Sequence, residues 1–546
     1  MASPAPSIAP LADRRAALDR AHLGDIEGAI GTVRSYDTAP RRSLRRRLMT
    51  LLAVAGPGLI VMAADNDAGT MTVFSQAGHG YGTRLLWVLV LLAPVLFVVQ
   101  EMAARLGAVT GAGHARLILE RFGRLWCAFS LGDLIVLNFA LLVTEFIGVT
   151  VSLGYFGVSR YLAVPIAAAG LIAVTAGGSF RRWERAMYVL VAADLSVIAL
   201  ALLHHPSPAA IGAGLLPGFS GRPGSPALLL LIALIGTTIS PWQIFFQQSN
   251  VIDKRITPRW LRYARIDTAL GTLAFVVAAG AIMIGCAGML GSGGADPGHL
   301  IDAGAIARLL ALRAGGFAGG LFAVALLNAS LLGAGAVSLS SSYSASEVLG
   351  VKHSLHRRFR DARIFHGCFA AFVIAAAATV LIPGAPLGTV TTLVQALAGI
   401  LLPVALVLLL MLCNDRELVG PLTNPRWLNA IAIAAVALIL GLVTLLTLTT
   451  VVPGVSVLDA ALLTAASFAV CGVALGATLK GARSPRSFRH AMTAWQRLTW
   501  SSPMLERIPA ASATRARLLA LALLRGYTLI MLALLAARLG SLLAHA

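Results

Sequence analysis

Long apolar stretches recur along the chain from residue 51 onward, and most are long enough to cross a membrane as a helix. About 20 apolar residues span the roughly 30 Å hydrocarbon core of a bilayer. The pattern predicts twelve spans, at residues 51–78, 84–107, 125–153, 161–176, 187–205, 226–252, 263–290, 316–345, 364–382, 386–412, 428–452 and 456–479. Residues 516–541 are apolar but contain Arg517, Arg525 and Arg538, so they form either a thirteenth span or a helix in the membrane interface.

Polar and helix-breaking residues interrupt two of these stretches near their midpoints. The first is interrupted from Asp65 to Thr70, and the sixth from Gly236 to Pro241. Because the two lie five spans apart, the second set of five helices runs through the membrane inverted relative to the first. Paired broken helices are typical of transporters with a LeuT-like repeat. The pattern predicts an all-α polytopic membrane protein with a LeuT-like 5+5 inverted repeat, broken helices 1 and 6, and one to three extra C-terminal helices.

Composition and charge agree with a membrane protein. Of the 546 residues, 58% are hydrophobic and 12% charged, against about 25% charged residues in soluble domains. The net charge of +20 is unevenly placed: 28 of the 43 Lys and Arg lie in the N-terminal region and the loops of one side, and five in the loops opposite. This bias follows the positive-inside rule and predicts a multi-pass protein of the cytoplasmic membrane with a cytoplasmic N-terminus. The charge therefore reflects topology and does not indicate a nucleic-acid partner.

The chain divides into five predicted regions. Residues 1–48 lack the apolar core of a signal peptide and are interpreted as a mostly disordered cytoplasmic tail. Residues 49–205 and 226–412 form the two repeats, and 428–479 form helices 11 and 12. Residues 480–546 form a basic cytoplasmic connector and a terminal apolar helix.

Enzymatic function is not expected. The five cysteines are far apart and have no C-x-x-C spacing. An intramembrane hydrolase would need an H-E-x-x-H motif or a Ser-His constellation, and the spans contain neither. We therefore predict no enzyme activity and no cofactor.

The break in the first span predicts a cation site. A carboxylate at mid-membrane costs several kcal/mol unless something compensates it, so Asp67 is the leading functional candidate. Unwinding around Ala68 is expected to free the backbone oxygens of residues 67 and 68, and Thr70 adds a hydroxyl. Such oxygens are the ligands that hard cations prefer.

The break in the sixth span is expected to face the same cavity. The carbonyls of Thr237 and Thr238 and the hydroxyl of Ser240 are its candidate ligands, because Pro241 withholds an amide donor and begins the next half-helix. An ordinary Pro kink is the alternative for this span taken alone, and the pairing with Asp67 favours the site.

Other polar residues within the spans have more than one interpretation. Asp65 is either a second cation contact or a residue at the cytoplasmic mouth. Gln395 on the tenth span is either a site residue or a helix–helix hydrogen-bonding partner, and the partner role is favoured by the residues alone. A structural pairing role is favoured for the remaining buried polar residues, which are Glu101, Asp133, Glu145, Asp194, Asn328 and Glu347.

Several motifs resemble the NRAMP divalent-metal transporters. Gly56-Pro57-Gly58 followed by Asp67-Ala68-Gly69-Thr70 is similar to the first helix of that family, which carries G-P-G and then D-P-G-N at the same spacing. The segments 100–111, 144–148 and 413–420 resemble the end of the second helix, the third helix and the segment after the tenth. The likeness covers roughly residues 51–430, and its motifs occur in the order of the family.

Departures from the family pattern bear on the substrate. The Pro and Asn of D-P-G-N are Ala68 and Thr70 here, and the Met of the sixth-helix motif is Ser240. A thioether is a soft ligand that favours Mn²⁺, Fe²⁺ or Cd²⁺, so its replacement by a hydroxyl removes discrimination against hard cations. Small side chains also leave room for Mg²⁺ with some of its water. The resemblance is therefore closest to the NRAMP-related magnesium transporter branch.

The groups that carry protons in the family are also replaced. The His after the sixth-helix Pro is Trp242, and the third-helix Asp three residues before Glu145 is Leu142. Glu145 itself is retained. Trp242, Glu145 and Asp65 are therefore accessory candidates, and proton coupling is not expected to be required.

These observations predict a transporter for divalent metal cations, with Mg²⁺ and Mn²⁺ uptake by alternating access. Asp67 is the anionic ligand, helped by Thr70, Ser240, Gln395 and the backbone oxygens of residues 67, 68, 237 and 238. A proton-coupled Mn²⁺/Fe²⁺ symporter is the first alternative. An organic-solute permease on the same fold is the second, since Trp242 and Phe245 are compatible with an aromatic-lined cavity. The expected partners are the metal ions and the lipid bilayer, with no obligate protein partner.

Overall fold

The computed structural model describes residues 19–37, 39–203, 207–218, 226–290, 302–383, 387–451 and 498–508, and scattered positions between 462 and 529. The helices of the N-terminal half are α1 Leu44–Val54, α2 Pro57–Ala64, α3 Ala68–Tyr81, α4 Leu86–Thr110, α5 His114–Phe122, α6 Arg124–Tyr155, α7 Arg160–Thr175, α8 Phe180–Ala193, α9 Ser196–Leu202 and α10 Pro208–Gly214. The helices that follow are α11 Pro226–Thr238, α12 Pro241–Asp253, α13 Leu261–Leu290, α14 Ala303–Ala314, α15 Gly316–Leu349, α16 Arg363–Leu381, α17 Leu387–Cys413, α18 Arg416–Val419 and α19 Arg426–Val451. The predicted spans 456–479 and 516–541 lie outside the continuously described residues.

Eight helices of the described residues are long and apolar enough to cross a membrane, or nine if α1 and α2 count as one bent span. Two shorter apolar helices, Arg160–Thr175 and Arg426–Leu442, correspond to the predicted fourth and eleventh spans. The buried core is one continuous cluster that extends along the described chain from Ile26 to Leu524.

The first span bends by 50° where α1 meets α2. Gly56 takes φ = 148° at this bend, a conformation that favours glycine, and Pro57 begins α2. The Asp267 carboxylate of α13 accepts hydrogen bonds from the backbone N–H groups of Gly56 at 3.0 Å and Gly58 at 2.7 Å. The unpaired donors at the start of α2 are thereby satisfied.

Both predicted breaks are present. Residues 65–67 separate α2 from α3, and Ile239 and Ser240 separate α11 from α12. Ser240 is extended, with φ = −106° and ψ = 146°. Because Pro241 has no N–H, the Thr237 carbonyl lacks the donor that a continuous helix would supply four residues later.

The fifth span differs from its predicted bounds of 187–205. It begins at Phe180, so Arg181, Arg182 and Arg185 lie on the first turns of α8 and not in a loop. Ser179 caps α8 by accepting a hydrogen bond from the Arg182 N–H. The span is also interrupted, because α8 ends at Ala193 and α9 begins at Ser196.

The N-terminal segment, residues 19–37, corrects the expectation that residues 1–48 are mostly disordered. It contains a short antiparallel pair, β1 Ile26–Glu27 with β2 Thr32–Val33. Its anchors are Asp19, which accepts from the Arg357 guanidinium at 2.5 and 3.0 Å, and the Ala29 N–H, which donates to Glu184 at 2.5 Å. These contacts tie it to the end of the bundle that carries Arg181, Arg255 and Arg357, which we call the basic face. Composition alone does not predict this docking, because the residues that hold the segment are far from it in the sequence.

His22 is the buried centre of this docking. Its ring lies 3.6 Å from an Asp253 oxygen and 5.0 Å from the His353 ring, measured between ring centroids. Asp19, Arg357, His356 and Arg255 are the other charged or titratable groups around it. Burial, reinforced by His353, lowers the pKa of His22 to about 4.

We expect acid to loosen the N-terminal segment. A free segment takes up a proton on His22 below about pH 6.5, while the docked segment does so only near pH 4, so docking is complete above pH 6.5 and weakens as the pH falls. His22 alone makes docking about tenfold weaker at pH 5.5 than at pH 7.5. A nitroxide on Ile30→Cys should show a growing mobile fraction over this interval, and His22→Gln should reduce that growth. Equal pH dependence in both proteins would show that His22 is not responsible.

Candidate functional site

The two breaks face each other through a pair of hydroxyl groups. Thr70 on α3 and Thr237 on α11 lie with their Oγ1 atoms 2.6 Å apart. The Thr70 hydroxyl also contacts the backbone oxygen of Asp65. Both threonines are buried. Two residues of the predicted site, from spans five apart, are thus in direct contact, although Thr237 was predicted to contribute its backbone carbonyl and not its hydroxyl.

Asp67 lies at the centre of the first break. Its Oδ1 accepts a hydrogen bond from the Thr70 N–H at 2.8 Å and so caps α3. Glu145 of α6 lies beside it, and its Oε2 accepts from the Ala68 N–H at 3.1 Å. A Cβ on Gly333 would meet the Asp67 Cβ at 2.8 Å and the Glu145 Cδ at 3.0 Å, so α15 closes over both carboxyl groups. Two buried carboxylates this close repel each other unless a cation or a shared proton lies between them.

Gln395 contacts both broken helices. Its side chain lies against Gly69, where a Cβ would meet the Gln395 Nε2 at 1.6 Å, and its backbone oxygen lies against Gly236. It is fully buried, and among the described residues neither its amide oxygen nor its amide nitrogen has a hydrogen-bond partner. A buried amide without partners is costly, which is unlike the helix–helix hydrogen-bonding role that the sequence favoured. Its position fits the alternative role of a site residue.

A chain of glutamines, which sequence analysis missed, reaches Asp65. Gln243 of α12 donates to the Asp65 carboxylate, and Gln100 of α4 donates to the Gln243 oxygen at 2.8 Å. The sequence contained a signal for this contact. Gln243 lies three residues after Ser240 and therefore faces the same side of the helix that begins at Pro241. Asp65 is fully buried, and its second oxygen has no hydrogen-bond partner in the part of the chain that the structure describes. It is therefore part of the break and not an exposed mouth residue.

The free backbone oxygens of the first break are not those that were expected. The Asp67 oxygen accepts from the Met71 N–H at 2.9 Å, and the Ala68 oxygen accepts from the Thr72 hydroxyl at 2.7 Å. Both are occupied because α3 begins at Ala68. The carbonyls that lose their helical donors are those of residues 64–66, at the end of α2 and within the break, and the Asp65 oxygen contacts the Thr70 hydroxyl instead. A carbonyl oxygen has a second lone pair, so the ligand role of the residue 67 and 68 carbonyls stays a prediction.

The other predicted residues of the sixth span point into their own helix. The Thr238 hydroxyl donates to the Leu234 oxygen at 2.7 Å, and the Ser240 hydroxyl donates to the Gly236 oxygen at 2.6 Å. Trp242 is fully buried, and no described residue accepts a hydrogen bond from its indole N–H. These residues lie at the break, but the structure does not bring their side chains to Asp67.

A cation at this place would depend on mixed oxygen ligands. In the described part of the chain, no group of three or more His, Cys, Asp or Glu side chains is arranged to hold a metal ion. The groups that meet are carboxylates, hydroxyls and amides. A small cavity of about 40 Å³ adjoins Ala68 and reaches Asp302 at the start of α14, which is room for about one water molecule.

Two other acidic residues have structural partners, as predicted. Glu101 accepts from Arg105 at 3.2 Å and from Arg265 at 2.8 Å. Glu347 accepts from the Ser249 hydroxyl at 2.7 Å. Neither contact includes a residue of the breaks.

Comparison with known proteins supplies independent information. The model of one family, described as natural resistance-associated macrophage protein-like (Nramp), matches residues 58–449. The chain is 28% identical to the divalent metal cation transporter MntH 1 of Pseudomonas aeruginosa, over 70% of this chain and 89% of that protein. It is 27% identical to the divalent metal cation transporter MntH of Ralstonia nicotianae, over 70% and 87%.

A solved structure confirms the predicted fold class. The Eremococcus coleocola manganese transporter matches with a TM-score of 0.63 at 20% identity, covering 84% of this chain and 98% of that chain. The all-α LeuT-like architecture with broken first and sixth spans is thereby confirmed. These relatives are named as transporters and not as enzymes, in agreement with the sequence prediction.

Proposed function

The chain belongs to the Nramp family, and we propose that it carries divalent metal cations across the cytoplasmic membrane, with Mg²⁺ as its main substrate and Mn²⁺ as a second. The observation that carries the proposal is the meeting of Thr70 and Thr237 beside Asp67. A cation bound there replaces one hydrogen bond between hydroxyls with two metal–oxygen contacts. The basic face, with the N-terminal segment, is then the cytoplasmic side.

The donor set supports Mg²⁺. Asp67 supplies the negative charge, and Thr70 and Thr237 supply hydroxyls. Gln395 supplies an amide oxygen that has no other partner among the described residues. All are hard oxygen donors, which suit Mg²⁺ and leave Mn²⁺ acceptable. Ser240, where the family carries Met, adds no sulfur. These features support our proposal that the chain belongs to the magnesium-transporting branch of the family.

Transport of this kind needs no proton gradient. A divalent ion gains about 4.6 kcal/mol per 100 mV of inside-negative potential. Since about 1.4 kcal/mol corresponds to a tenfold gradient, the potential supports roughly thousandfold accumulation. Trp242 and Leu142 stand where the family's usual proton carriers lie, which also favours uptake without obligatory coupling.

A proton-coupled Mn²⁺/Fe²⁺ symporter is the second candidate, and one observation favours it. Glu145 lies directly beside Asp67. An incoming metal can therefore displace a proton held by this pair, as proton coupling requires. The names of the relatives, a manganese transporter among them, agree with this candidate as well.

Ion uptake into proteoliposomes under a clamped inside-negative potential distinguishes the two. Mg²⁺, Mn²⁺, Ca²⁺ and Cd²⁺ are tested while the internal pH is recorded, with Asp67→Ala as the inactive variant and exposed Asp361→Ala as the matched control. The proposal predicts Mg²⁺ entry without acidification, lost in Asp67→Ala and retained in Asp361→Ala. Entry of Mn²⁺ or Cd²⁺ alone, with acidification, would support the symporter instead.

Ser240→Met should move selectivity toward soft metals. The thioether adds a ligand that prefers Cd²⁺ and Mn²⁺ over Mg²⁺, so competition by Cd²⁺ against Mg²⁺ uptake should strengthen by about tenfold. Ser240→Leu has similar size without sulfur and is the control. If both variants change the metal selectivity equally, the size of the side chain at position 240, and not its sulfur, determines that selectivity.

A further inference from the structure

The helix α1 has an apolar face that the described part of the protein leaves open. Its leucines recur at positions i, i+4, i+7 and i+8, and so lie on one side of the helix: Leu44, Leu48, Leu51 and Leu52. Leu44 is 81% exposed and Leu48 is 53% exposed. The opposite side, with Thr50, Ala53 and Val54, is buried. The leucine side therefore faces outward, toward lipid or solvent.

Arginine side chains border this apolar face of α1. By their positions in the helical repeat, Arg45 lies along one edge of it and Arg47 along the other. Arg45 and the neighbouring Arg46 are exposed, and in the described residues neither has a carboxylate within ion-pair distance. Arg41 differs, because it pairs with Asp37 at 2.7 Å. Two guanidinium groups beside exposed leucines thus have no counter-charge from the described chain.

The length of α2 places α1 at the level of the lipid headgroups. α2 has eight residues, which extend about 12 Å at 1.5 Å per residue. Half of the hydrocarbon core is about 15 Å thick, so the chain that starts from the break at mid-membrane leaves the core near Gly56. Beyond this point α1 is turned by 50°. Trp260, whose ring lies 5.2 Å from the Arg41 guanidinium, is of a residue type that is enriched at this depth.

An open cavity of about 640 Å³ adjoins the arginines, within the roughly 300–1,000 Å³ typical of small-ligand sites. It lies between β2 and the start of α1, and Thr32, Arg45, Arg46 and Met49 are among its lining residues. Asp37 also lines it, but its charge is balanced by Arg41. The planar guanidinium group matches two oxygens of a phosphate. The cavity therefore suits a phosphate group, and the leucines beside it suit hydrocarbon chains.

We propose that α1 binds an anionic phospholipid of the leaflet at the basic face, with the phosphodiester between Arg45 and Arg46 and the acyl chains along Leu44 and Leu48. A zwitterionic lipid brings its own cation and leaves the arginines less well balanced, so an anionic headgroup is favoured. A soluble phosphate would leave the leucines uncovered. This surface goes beyond the proposed function, because it does not depend on which ion the protein carries.

Native mass spectrometry of the purified, delipidated full chain measures this binding. The chain is titrated with phosphatidylglycerol or with phosphatidylcholine of the same acyl chains, and the bound lipids are counted. Wild type should bind its first phosphatidylglycerol clearly more tightly than phosphatidylcholine. Each Arg near an anionic lipid contributes about fivefold in affinity, so Arg45→Gln/Arg46→Gln should weaken phosphatidylglycerol binding by about 25-fold and leave phosphatidylcholine binding unchanged.

A matched control separates this surface from the general charge of the protein. Arg360→Gln/Arg363→Gln removes the same charge from exposed positions elsewhere on the basic face and should leave the preference for phosphatidylglycerol intact. Leu44→Gln/Leu48→Gln should weaken both lipids without changing that preference. All of these positions are exposed, so the variants should keep the Tm of wild type.

Three results would overturn the proposal. Equal losses in the two arginine double variants would show only general attraction between charges. Displacement of phosphatidylglycerol by an equal concentration of glycerol 3-phosphate would show a site for soluble phosphate. Unchanged lipid binding in Leu44→Gln/Leu48→Gln would show that the leucines do not contact the acyl chains. A failure of Mg²⁺ uptake would refute the proposed function but leave these titrations unaffected.

Discussion

Lys254→Met should destabilise the folded protein by about 3–5 kcal/mol, because it leaves a buried carboxylate without its partner. Lys254 and Glu184 form an ion pair of 2.5 Å, and both side chains are fully buried. The ammonium group also donates to the Ala55 oxygen at the bend of the first span. The pair therefore connects the first, fifth and sixth spans at the basic face, and Glu184 holds the N-terminal segment as well.

Thermal unfolding in detergent measures this effect. Tm should fall clearly in Lys254→Met and stay near the wild-type value in Lys352→Met, since Lys352 is exposed. The double variant Lys254→Met/Glu184→Met should recover part of the loss, because removing both charges removes the buried unpaired one. An unchanged Tm in Lys254→Met would mean that water or a proton satisfies the Glu184 carboxylate without loss of stability.

Gly236→Ala should be the most damaging small change near the site. A Cβ at Gly236 would meet the Gln395 backbone oxygen at 2.1 Å and the Gly399 nitrogen at 2.5 Å. Backbone atoms cannot avoid this clash by a change of rotamer, so α11 and α17 must separate by more than 1 Å. Overpacking of this kind typically costs about 1–3 kcal/mol, and here it also moves Thr237 away from Thr70.

The measurement is the initial rate of Mg²⁺ uptake together with Tm. We expect Gly236→Ala to reduce uptake at least tenfold and to lower Tm, while Gly280→Ala changes neither. Gly280 is buried in α13, but its added Cβ would meet only the Leu89 side chain, at 3.8 Å. Normal uptake by Gly236→Ala would show that the two helices can separate without disturbing the break.

The location of the candidate site could be predicted from the sequence because lipid makes polar residues conspicuous. Asp67 and Pro241 are conspicuous within apolar stretches. Their spans, the first and the sixth, hold the same position in the two repeats, so the fold brings the two breaks together. Thr70 and Thr237 meet through their hydroxyl groups, whereas the sequence suggested only the backbone carbonyl of Thr237. The sequence does not determine which way each hydroxyl points, because Ser240 can bond either to its own helix or across a cavity. It bonds to Gly236.

Long-range pairings were beyond such reasoning. Nothing in the composition of residues 19–37 shows that Asp19 meets Arg357 or that Ala29 meets Glu184. Asn66 was visible as part of the first break, but its contact with Asp194 depends on how the fifth span bends. Sequence patterns identify which residues are costly to bury, whereas the fold decides which partners offset that cost.

The docking of the N-terminal segment also has a consequence for the order in which the protein is made. Asp19 leaves the ribosome early, yet its partner Arg357 follows 338 residues later. Asp253 and Glu184 are also synthesised well after His22 and Ala29. The segment can therefore reach its final position only after eight spans have been inserted and packed. Protection of residues 19–37 from protease in a translating chain would accordingly report that the first eight spans have been inserted and packed.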